Sequence, residues 1–322
     1  MNIVRAAQRL WQPGPLQRIP LIYQANIRQR EKLGLKMYDS YVSQCGKPNI
    51  IHGHSALWGG VLAAAIAKKH NIPFIMTEHS SVIPRGIAGP RERKTAEQTY
   101  HIASKNCSIS PSLIVDLTSL LDLDNIDFKI TPHMVDEKFV YTTPPSSDET
   151  FNWLSVSNLV DDKGHDTLLR AFSKLNDKKS MLTIVGDGPL MGSLQSLSKS
   201  LGIDDQVVFT GLISRDEIPN AFTNSHAFIH PSRYETQGIV IIEALATGRP
   251  VISTKCGGPN HVIKEGDGYL IPIDDEQAIV DSMKNMMNKK WDGKSISERC
   301  IQRFGKSVII DQLEELYNSI EQ

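Results

Sequence analysis

The sequence lacks a long apolar run. No stretch reaches the roughly 18 residues that a bilayer-spanning helix needs. The strongest candidate, Ala56 to Ala67, carries Gly59 and Gly60 and stops at Lys68 and Lys69. No apolar core follows Arg5 and Arg9, so no secretory leader is read there. Cysteine is scarce: Cys45, Cys107, Cys256 and Cys300 are far apart and form no C-x-x-C pair. That argues against a zinc ribbon, a thioredoxin-type site and a disulfide scaffold, and it fits reduced thiols in a cytoplasmic protein. Net charge is small, −1 with histidine neutral. No global field draws nucleic acid, and no nucleic-acid partner is expected.

What remains is a globular composition. The chain has 322 residues, 40% of them hydrophobic and 22% charged. That length suits about two domains of roughly 150 residues. Charge is uneven along it. Residues 1–47 hold eight basic side chains, Arg5, Arg9, Arg18, Arg28, Arg30, Lys32, Lys36 and Lys47, against Glu31 and Asp39. Trp11, Leu16, Ile19, Leu21, Ile22 and Tyr23 are interleaved with them. One reading is a surface, through basic residues 5–36, that rests on the inner face of a membrane or draws in an anionic acceptor. The other is a solvated face beside ordinary core residues.

From residue 48 the pattern becomes regular. Asn49–His52, Pro73–Thr77, Cys107–Ser110 and Phe128–Thr131 read as strands. Helices are expected over Ala56–His70, over Arg91–Ser104 and after Ser110-Pro111, where serine caps and proline opens the first turn. Pro144-Pro145-Ser146-Ser147 marks a linker, which divides the chain into residues 1–147 and 148–322. After it, strands are expected at Phe151–Ser157, Met181–Val185, Val207–Thr210, Ala227–His230, Val251–Thr254 and Tyr269–Ile271. Helices are expected near Asp166–Leu175, from Pro189 to Leu201, at Ile218–Asn224 and at Ile239–Thr247. Strands alternating with helices imply parallel β-α-β units in a doubly wound, Rossmann-like α/β domain.

In such a sheet, ligands bind beyond the carboxyl ends of the strands. The unusual residues of the second half sit there. Lys163-Gly164 follows the first strand, Gly186-Asp187-Gly188-Pro189 the second and Gly211-Leu212 the third. Pro231 to Glu243 follows the fourth strand, and Gly257-Gly258-Pro259 the fifth. Five such loops converge on one edge, which points to a nucleotide-type cleft. Lys163 offers a point charge suited to phosphate. Gly238 precedes a helix whose first residues, Ile239 and Val240, offer free amides, an anion site. Glu243 is an acid within the apolar string Ile-Val-Ile-Ile-Glu-Ala-Leu-Ala. Burying it requires a partner. Sugar hydroxyls would serve, and so would a basic neighbour such as Arg233 or Arg249.

These strings resemble a known family. The run Ser155 to Gly164, then Ile184 to Pro189, then Phe209-Thr-Gly211, then Pro231 to Val251, then Gly257-Gly-Pro259, is similar to retaining glycosyltransferase family 4, also called group 1, with the GT-B fold. Glu235 and Glu243 fit that family's E-x7-E spacing. The first half resembles it more loosely, through Ile51-His52-Gly53-His54 and Thr77-Glu78-His79. The resemblance implies two Rossmann-like domains facing a cleft, an acceptor-side domain first and a nucleotide-sugar domain second. The last helix would pack back on the first domain.

The resemblance also implies roles. Lys163 would bind the donor diphosphate, Glu235 the donor sugar and Glu243 the ribose. The amides of Gly238, Ile239 and Val240 would meet the phosphates, Leu212 the base, and Gly186 would lie in the binding loops. His79 would face the transferred sugar; otherwise it is a histidine bonded within its loop. His79, Glu235 and Lys163 are the expected catalytic set. Neither a cofactor nor a metal is expected, since the family is usually metal-independent and no D-x-D stands in a suitable loop. The expected reaction moves a hexosyl group from a nucleotide sugar, such as a UDP- or GDP-sugar, to a hydroxyl of a glycan or lipid-linked acceptor. Attack and departure on one face of the sugar would retain configuration, and the leaving diphosphate would take the acceptor proton.

Three departures stand out. Asn158 occupies the position of a diphosphate-gripping arginine, Thr236-Gln237 replaces Gly-Phe, and His261 replaces a common glutamate. Residues 1–47 show no strand–Gly-Gly–helix unit, so the first domain is expected to lack its opening β-α units. A competing expectation is therefore a nucleotide-sugar-binding protein with little or no turnover. A third, another GT-B enzyme such as a nucleotide-sugar epimerase, fits the glutamate pair least.

Overall fold

The computed structural model describes residues 20–146 and 150–320. The chain divides into two compact units. Of the described residues, one holds 20–109, 113–131 and 314–320; the other holds 110–112, 132–146 and 150–313.

In the first unit, helix α1 (Pro20–Cys45) leads into β1 (Ile51–His54). A π-helical turn over Ser55–Gly60 opens into α2 (Val61–His70). Then come β2 (Phe74–Glu78), α3 (Pro90–Ile102), β3 (Lys105–Ser108), α4 (Pro111–Leu120) and β4 (Phe128–Ile130). The four strands form a parallel sheet in the order β1-β2-β3-β4. Its core gathers Ala63, Phe74, Met76, Ala96, Tyr100, Leu113 and Leu117. The expected strands in this half sit one or two residues away from the observed ones. The cause is polar residues inside the strands: His54, Glu78 and Asn106 take ladder positions that an apolar-run criterion excludes. The expectation of missing opening units concerns residues partly outside the described ones. From Pro20 to Cys45 the chain is a single helix. Its weak periodicity hid it, because two buried tyrosines, Tyr23 and Tyr38, carry much of its packing.

The second unit contains β5 (Phe151–Val156), α5 (His165–Leu175), β6 (Ser180–Val185), α6 (Met191–Ser200) and β7 (Val207–Gly211). It continues through α7 (Ile218–Thr223), β8 (Ala227–His230), α8 (Ile239–Ala246), β9 (Val251–Thr254), α9 (Pro259–Val262) and β10 (Gly268–Ile271). Helices α10 (Glu276–Asn288) and α11 (Gly293–Phe304) follow, and then α12 (Lys306–Asn318), whose residues from Glu314 belong to the first unit. Six parallel strands run in the order β10-β9-β8-β5-β6-β7, so the α/β alternation in the sequence is realised as a doubly wound sheet. Central strands are buried on both faces, which is why β5, β8 and β9 read as mainly apolar stretches without charged residues apart from the histidine that ends β8. On one face, α5 presents Leu168, Leu169, Phe172 and Leu175 at helical spacing to Trp153, Leu182 and Ile184. On the other, α8 packs Ile241, Ile242 and Leu245 against Leu154, Phe228 and Phe222.

The second compact unit takes up the chain again at Pro132. Residues 132–146 have no regular structure, yet they pack on the second unit. Val135 and Phe139 are in its core, and Val135 N–H donates to Phe304 O at 2.8 Å. Prolines and serines marked irregular backbone correctly, but irregular backbone is not the same as unpacked backbone.

Arg249 locks this segment. It is fully buried, and its guanidinium donates to the carbonyls of Thr142, Phe222, Thr223 and Thr247 and to the Thr142 hydroxyl. Burial pulls its pKa down to about 10. Substituting Arg249→Leu strands several buried carbonyls at once. It is expected to lower the unfolding free energy by about 3 kcal/mol, read by urea denaturation.

Candidate active site

The sheet of the second unit reverses its winding at β5. The chain goes one way to β6 and β7, then returns on the other side as β8. The loops leaving β5 and β8 therefore part, and a cleft opens between them. The cleft has a volume of about 360 Å³. Asn158, Lys163, Gly186, Leu212, Glu235, Ile239 and Val240, all expected site residues, line it.

Glu235 is the centre of its charge. Its Oε2 accepts from Lys163 Nζ at 2.7 Å and lies 3.2 Å from His230 Nε2. Backbone contacts hold it in place: Glu235 N–H donates to Cys256 O, and Gly258 N–H donates to Glu235 O at 2.8 Å. Burial alone would raise its carboxyl, but His230 and then Lys163 outweigh burial and hold it at about 2. The group is thus ionised across the physiological range. Lys163 keeps two further N–H donors for an anion. It stands on a short helical turn, Asp161–Lys163.

Gly238 caps α8 with φ +87°, a left-handed conformation that other residues adopt only with strain. Its position leaves the first amides of α8, those of Ile239 and Val240, without intrahelical partners. Gly186 makes a different contribution. A Cβ there would lie 1.9 Å from Ser157 O, so only glycine lets the β5 and β6 loops touch beneath the cleft. Leu212 is 74% exposed, an apolar side chain left at the cleft edge.

Glu243 lies one turn inside α8 and is almost completely buried. Its nearest basic partner is Arg215, at 3.6 Å. Burial raises its carboxyl to about 7, against smaller opposing effects of Arg215 and Lys138. Neither glutamate is paired with Arg233 or Arg249. Arg233 binds Asp166 and Asp274, and Arg249 binds backbone carbonyls. Periodicity missed His230, Ser232 and Arg215. The one signal was a histidine ending the otherwise apolar strand Ala-Phe-Ile-His.

His79 belongs to the first unit, directly after β2. Its neighbour Glu78 is buried and accepts from the amides of Ala56, His79 and Ser80 and from the Tyr100 hydroxyl. That carboxylate fixes the loop. His79 Nε2 lies 3.5 Å from Ser55 Oγ, and its ring meets the His54 ring edge-on at 5.7 Å. His54 stacks on His52. Burial and then His54 pull His52 down to about 4, while its two ring nitrogens contact Thr77 and Tyr317. Among the described residues no cluster of three metal-ligating side chains occurs.

Comparisons with known proteins fit this geometry. The family described as "Glycosyl transferases group 1" matches residues 143–304, half of the chain, and "Glycosyltransferase Family 4" matches residues 7–139. The chain belongs to the group 1 glycosyl transferases. The N-acetyl-alpha-D-glucosaminyl L-malate synthase of Bacillus anthracis is 25% identical over 296 residues, covering 87% of this chain and 77% of that enzyme. The alpha-monoglucosyldiacylglycerol synthase of Streptococcus pneumoniae is 27% identical over 302 residues, 81% of this chain and 65% of that one. Other curated relatives are spanned over less than two thirds of their length, as with 63% of the Methanocaldococcus jannaschii glycosyltransferase and 45% of the Streptomyces kanamyceticus kanosaminyltransferase. The solved sucrose-phosphate synthase of Thermosynechococcus elongatus superposes with a TM-score of 0.79 at 22% identity, over 96% of this chain and 82% of that one. Anabaena HepE, solved with UDP-glucose, superposes with a TM-score of 0.73 at 21% identity, over 89% and 82%. These likenesses give the fold: two parallel-sheet α/β domains of GT-B type.

The two glutamates predict opposite pH behaviour. Glu243 has a folded pKa above its unfolded value, so its proton stabilises the fold. That contribution is complete below about pH 4 and is lost as pH rises through about 7. Glu243→Gln should therefore be more stable than the parent at pH 8, by on the order of 3 kcal/mol, and little different at about pH 4.5. Thermal melts at the two pH values read this directly.

Proposed function

We propose that this chain is a retaining glycosyltransferase that moves a hexosyl group from a nucleotide sugar to an acceptor hydroxyl. The observation that carries the reading is the cleft at the sheet's switch point, where Lys163, the free amides of α8 and an ionised Glu235 converge. The donor diphosphate would lie between Lys163 and the α8 amides, whose positive ends stabilise the charge that grows as the diphosphate leaves. Glu235 would hold hydroxyls of the transferred sugar, and Glu243 those of the ribose. Leu212 would offer its backbone to the base. His79, from the first unit, would meet the sugar. The departing diphosphate would take the acceptor proton on the same face, which retains configuration. No metal or other cofactor takes part in this scheme.

The names of similar proteins support a nucleotide-sugar donor and hydroxyl-bearing acceptors of more than one class, a hydroxy acid and a lipid among them. One relative is a glucosaminyl malate synthase, another a monoglucosyldiacylglycerol synthase, and HepE was solved with UDP-glucose. Synthesis of a cell-surface polysaccharide or glycolipid is the setting we favour, and the diacylglycerol synthase supports its glycolipid arm.

A donor panel tests the reading. Purified protein is mixed with UDP-, GDP- and ADP-sugars, and melting temperature and nucleotide release are recorded. The matching donor should raise the melting temperature. Lys163→Ala should lower turnover by on the order of a hundredfold, and Glu235→Ala should abolish sugar-dependent release. A shift without release, even when acceptors are added, would instead support a binding protein without turnover. No shift with any donor would end the proposal.

Part of the basic N-terminal stretch supports contact with anionic lipid. Arg28, Lys32 and Lys36 recur every fourth residue on α1 and are exposed. Arg30 is not available: it donates to Leu57 O and lies over the Trp58 ring. Tyr23 is buried and bonded to Thr95. Arg5, Arg9 and Arg18 lie outside the described residues. No helix among the described residues is long and apolar enough to cross a membrane. Sedimentation with vesicles rich in phosphatidylglycerol should carry the protein down at low salt. Replacing Arg28, Lys32 and Lys36 with glutamine should weaken binding roughly tenfold or more, at about 1 kcal/mol per cation.

A further inference from the structure

Lys163 and Glu235 lie on separate segments 72 residues apart in the chain. Lysine is a flexible side chain, and a 2.7 Å contact between two such segments requires both backbones to be held in register. What holds them is the residue two places before Glu235. Arg233 N–H donates to Asp162 O at 2.7 Å, and Arg233 Nη1 donates to Asp161 O. Both acceptors are in the turn that carries Lys163. The rest of the guanidinium is equally occupied. Nε donates to both carboxylate oxygens of Asp274 at 2.9 Å, and Nη2 donates to Asp166 at 2.9 and 3.1 Å and to Thr167. Asp274 also accepts from the Thr167 hydroxyl at 2.8 Å.

We infer that Arg233 is a positioning residue, which staples the Asp161–Lys163 turn to the loop carrying Glu235 and so sets the Lys163–Glu235 contact. The inference rests on reading that contact as part of the donor site. Two physical features require arginine here. The planar fork reaches a backbone carbonyl and two carboxylates in different directions, which a lysine ammonium cannot do with fixed geometry. The fork also neutralises acids that crowd the turn: Asp161, Asp166 and Asp274 all lie within ion-pair distance of it. Without it, those carboxylates would face the same region as an incoming diphosphate.

The test reads the contact first without any ligand. Glutamate carboxyls are labelled with ¹³C, the Glu235 signal is assigned with Glu235→Gln, and its titration is followed by NMR. In the parent, Lys163 and His230 should keep Glu235 ionised, with no titration above about pH 3. In Arg233→Gln and Arg233→Lys the signal should titrate within the ordinary carboxylate range, as in Lys163→Ala. Asp274→Asn keeps Arg233 and its charge but weakens one anchor, so it should move the titration the same way. It carries the test if the Arg233 variants fail to fold. Parent-like titration in Arg233→Gln would overturn the inference. So would parent-like titration in Arg233→Lys, which would reduce the role to charge alone.

Affinity for UDP, GDP and ADP is then measured by calorimetry. Arg233→Lys should weaken the preferred nucleotide by on the order of tenfold, and the double variant with Lys163→Ala should be little weaker than Lys163→Ala alone. Strictly multiplicative losses would overturn the coupling. If the titrations move as expected but the parent binds no nucleoside diphosphate, the donor-site reading falls and the staple stands. If nucleotide binds and Arg233→Lys behaves as the parent does, the staple falls and the donor site stands.

Discussion

The second unit depends on a topological constraint: a parallel sheet that starts at a central strand and is wound outward in both directions. Right-handed crossovers then send the loops after β5 and β8 to opposite faces. Between them the sheet edge cannot close, and the strand ends point their loops into the gap. The cleft, its glycines and its free helix terminus follow from that reversal. The same chain segments wound in one direction only would leave the loops side by side, with Lys163 and Glu235 on neighbouring turns and no hollow between them.

Charge is organised around this gap. A carboxylate and a lysine meet at 2.7 Å, with a buried histidine alongside. Burying charge is costly unless partners return the lost hydration. Here the partners are mutual, and the pair keeps donors to spare. A few residues outward, Arg233 meets a ring of aspartates, so positive charge is concentrated at Lys163 while acidic charge is tied down. Glu243, one turn into an apolar helix, is the opposite case. It has one arginine at 3.6 Å and a carboxyl whose pKa burial raises to about 7. A polar ligand that brings hydroxyls to it would relieve that cost.

Legibility in the sequence followed burial. Strands β5, β8 and β9 are largely covered on both faces, so each is a short, mainly apolar stretch between turn residues, and each was readable to within a residue. Strands β1 to β3 carry His54, Glu78 and Asn106, polar residues that break an apolar run, and their ends were misplaced. Helix α1 was missed because much of its packing rests on two buried tyrosines, Tyr23 and Tyr38, rather than on an aliphatic stripe. At the linker, proline and serine report the lack of regular backbone, while Val135, Phe139 and the grip of Arg249 decide where that backbone packs. Gly186, Lys163 and Glu235, which line the cleft, stood out in the sequence because they sit in loops that follow strands. His230, Ser232, Arg215 and the aspartates around Arg233 did not, since nothing local distinguishes them from ordinary polar residues.

The sequence by itself determined the alternation of strands and helices, the parallel sheet, and the residue types available at its carboxyl edge. Those properties are local: they depend on periodicity, on glycine and proline, and on which stretches can be buried whole. Only the tertiary structure decided which charges meet. Contact between Lys163 and Glu235, the staple through Arg233, the burial of Glu243 and the packing of residues 132–146 on the second unit all join segments far apart in the chain. Pairing of that kind is set by the sum of many packing contacts across the sheet. No single stretch of sequence contains that sum, and so no reading of one stretch can supply it.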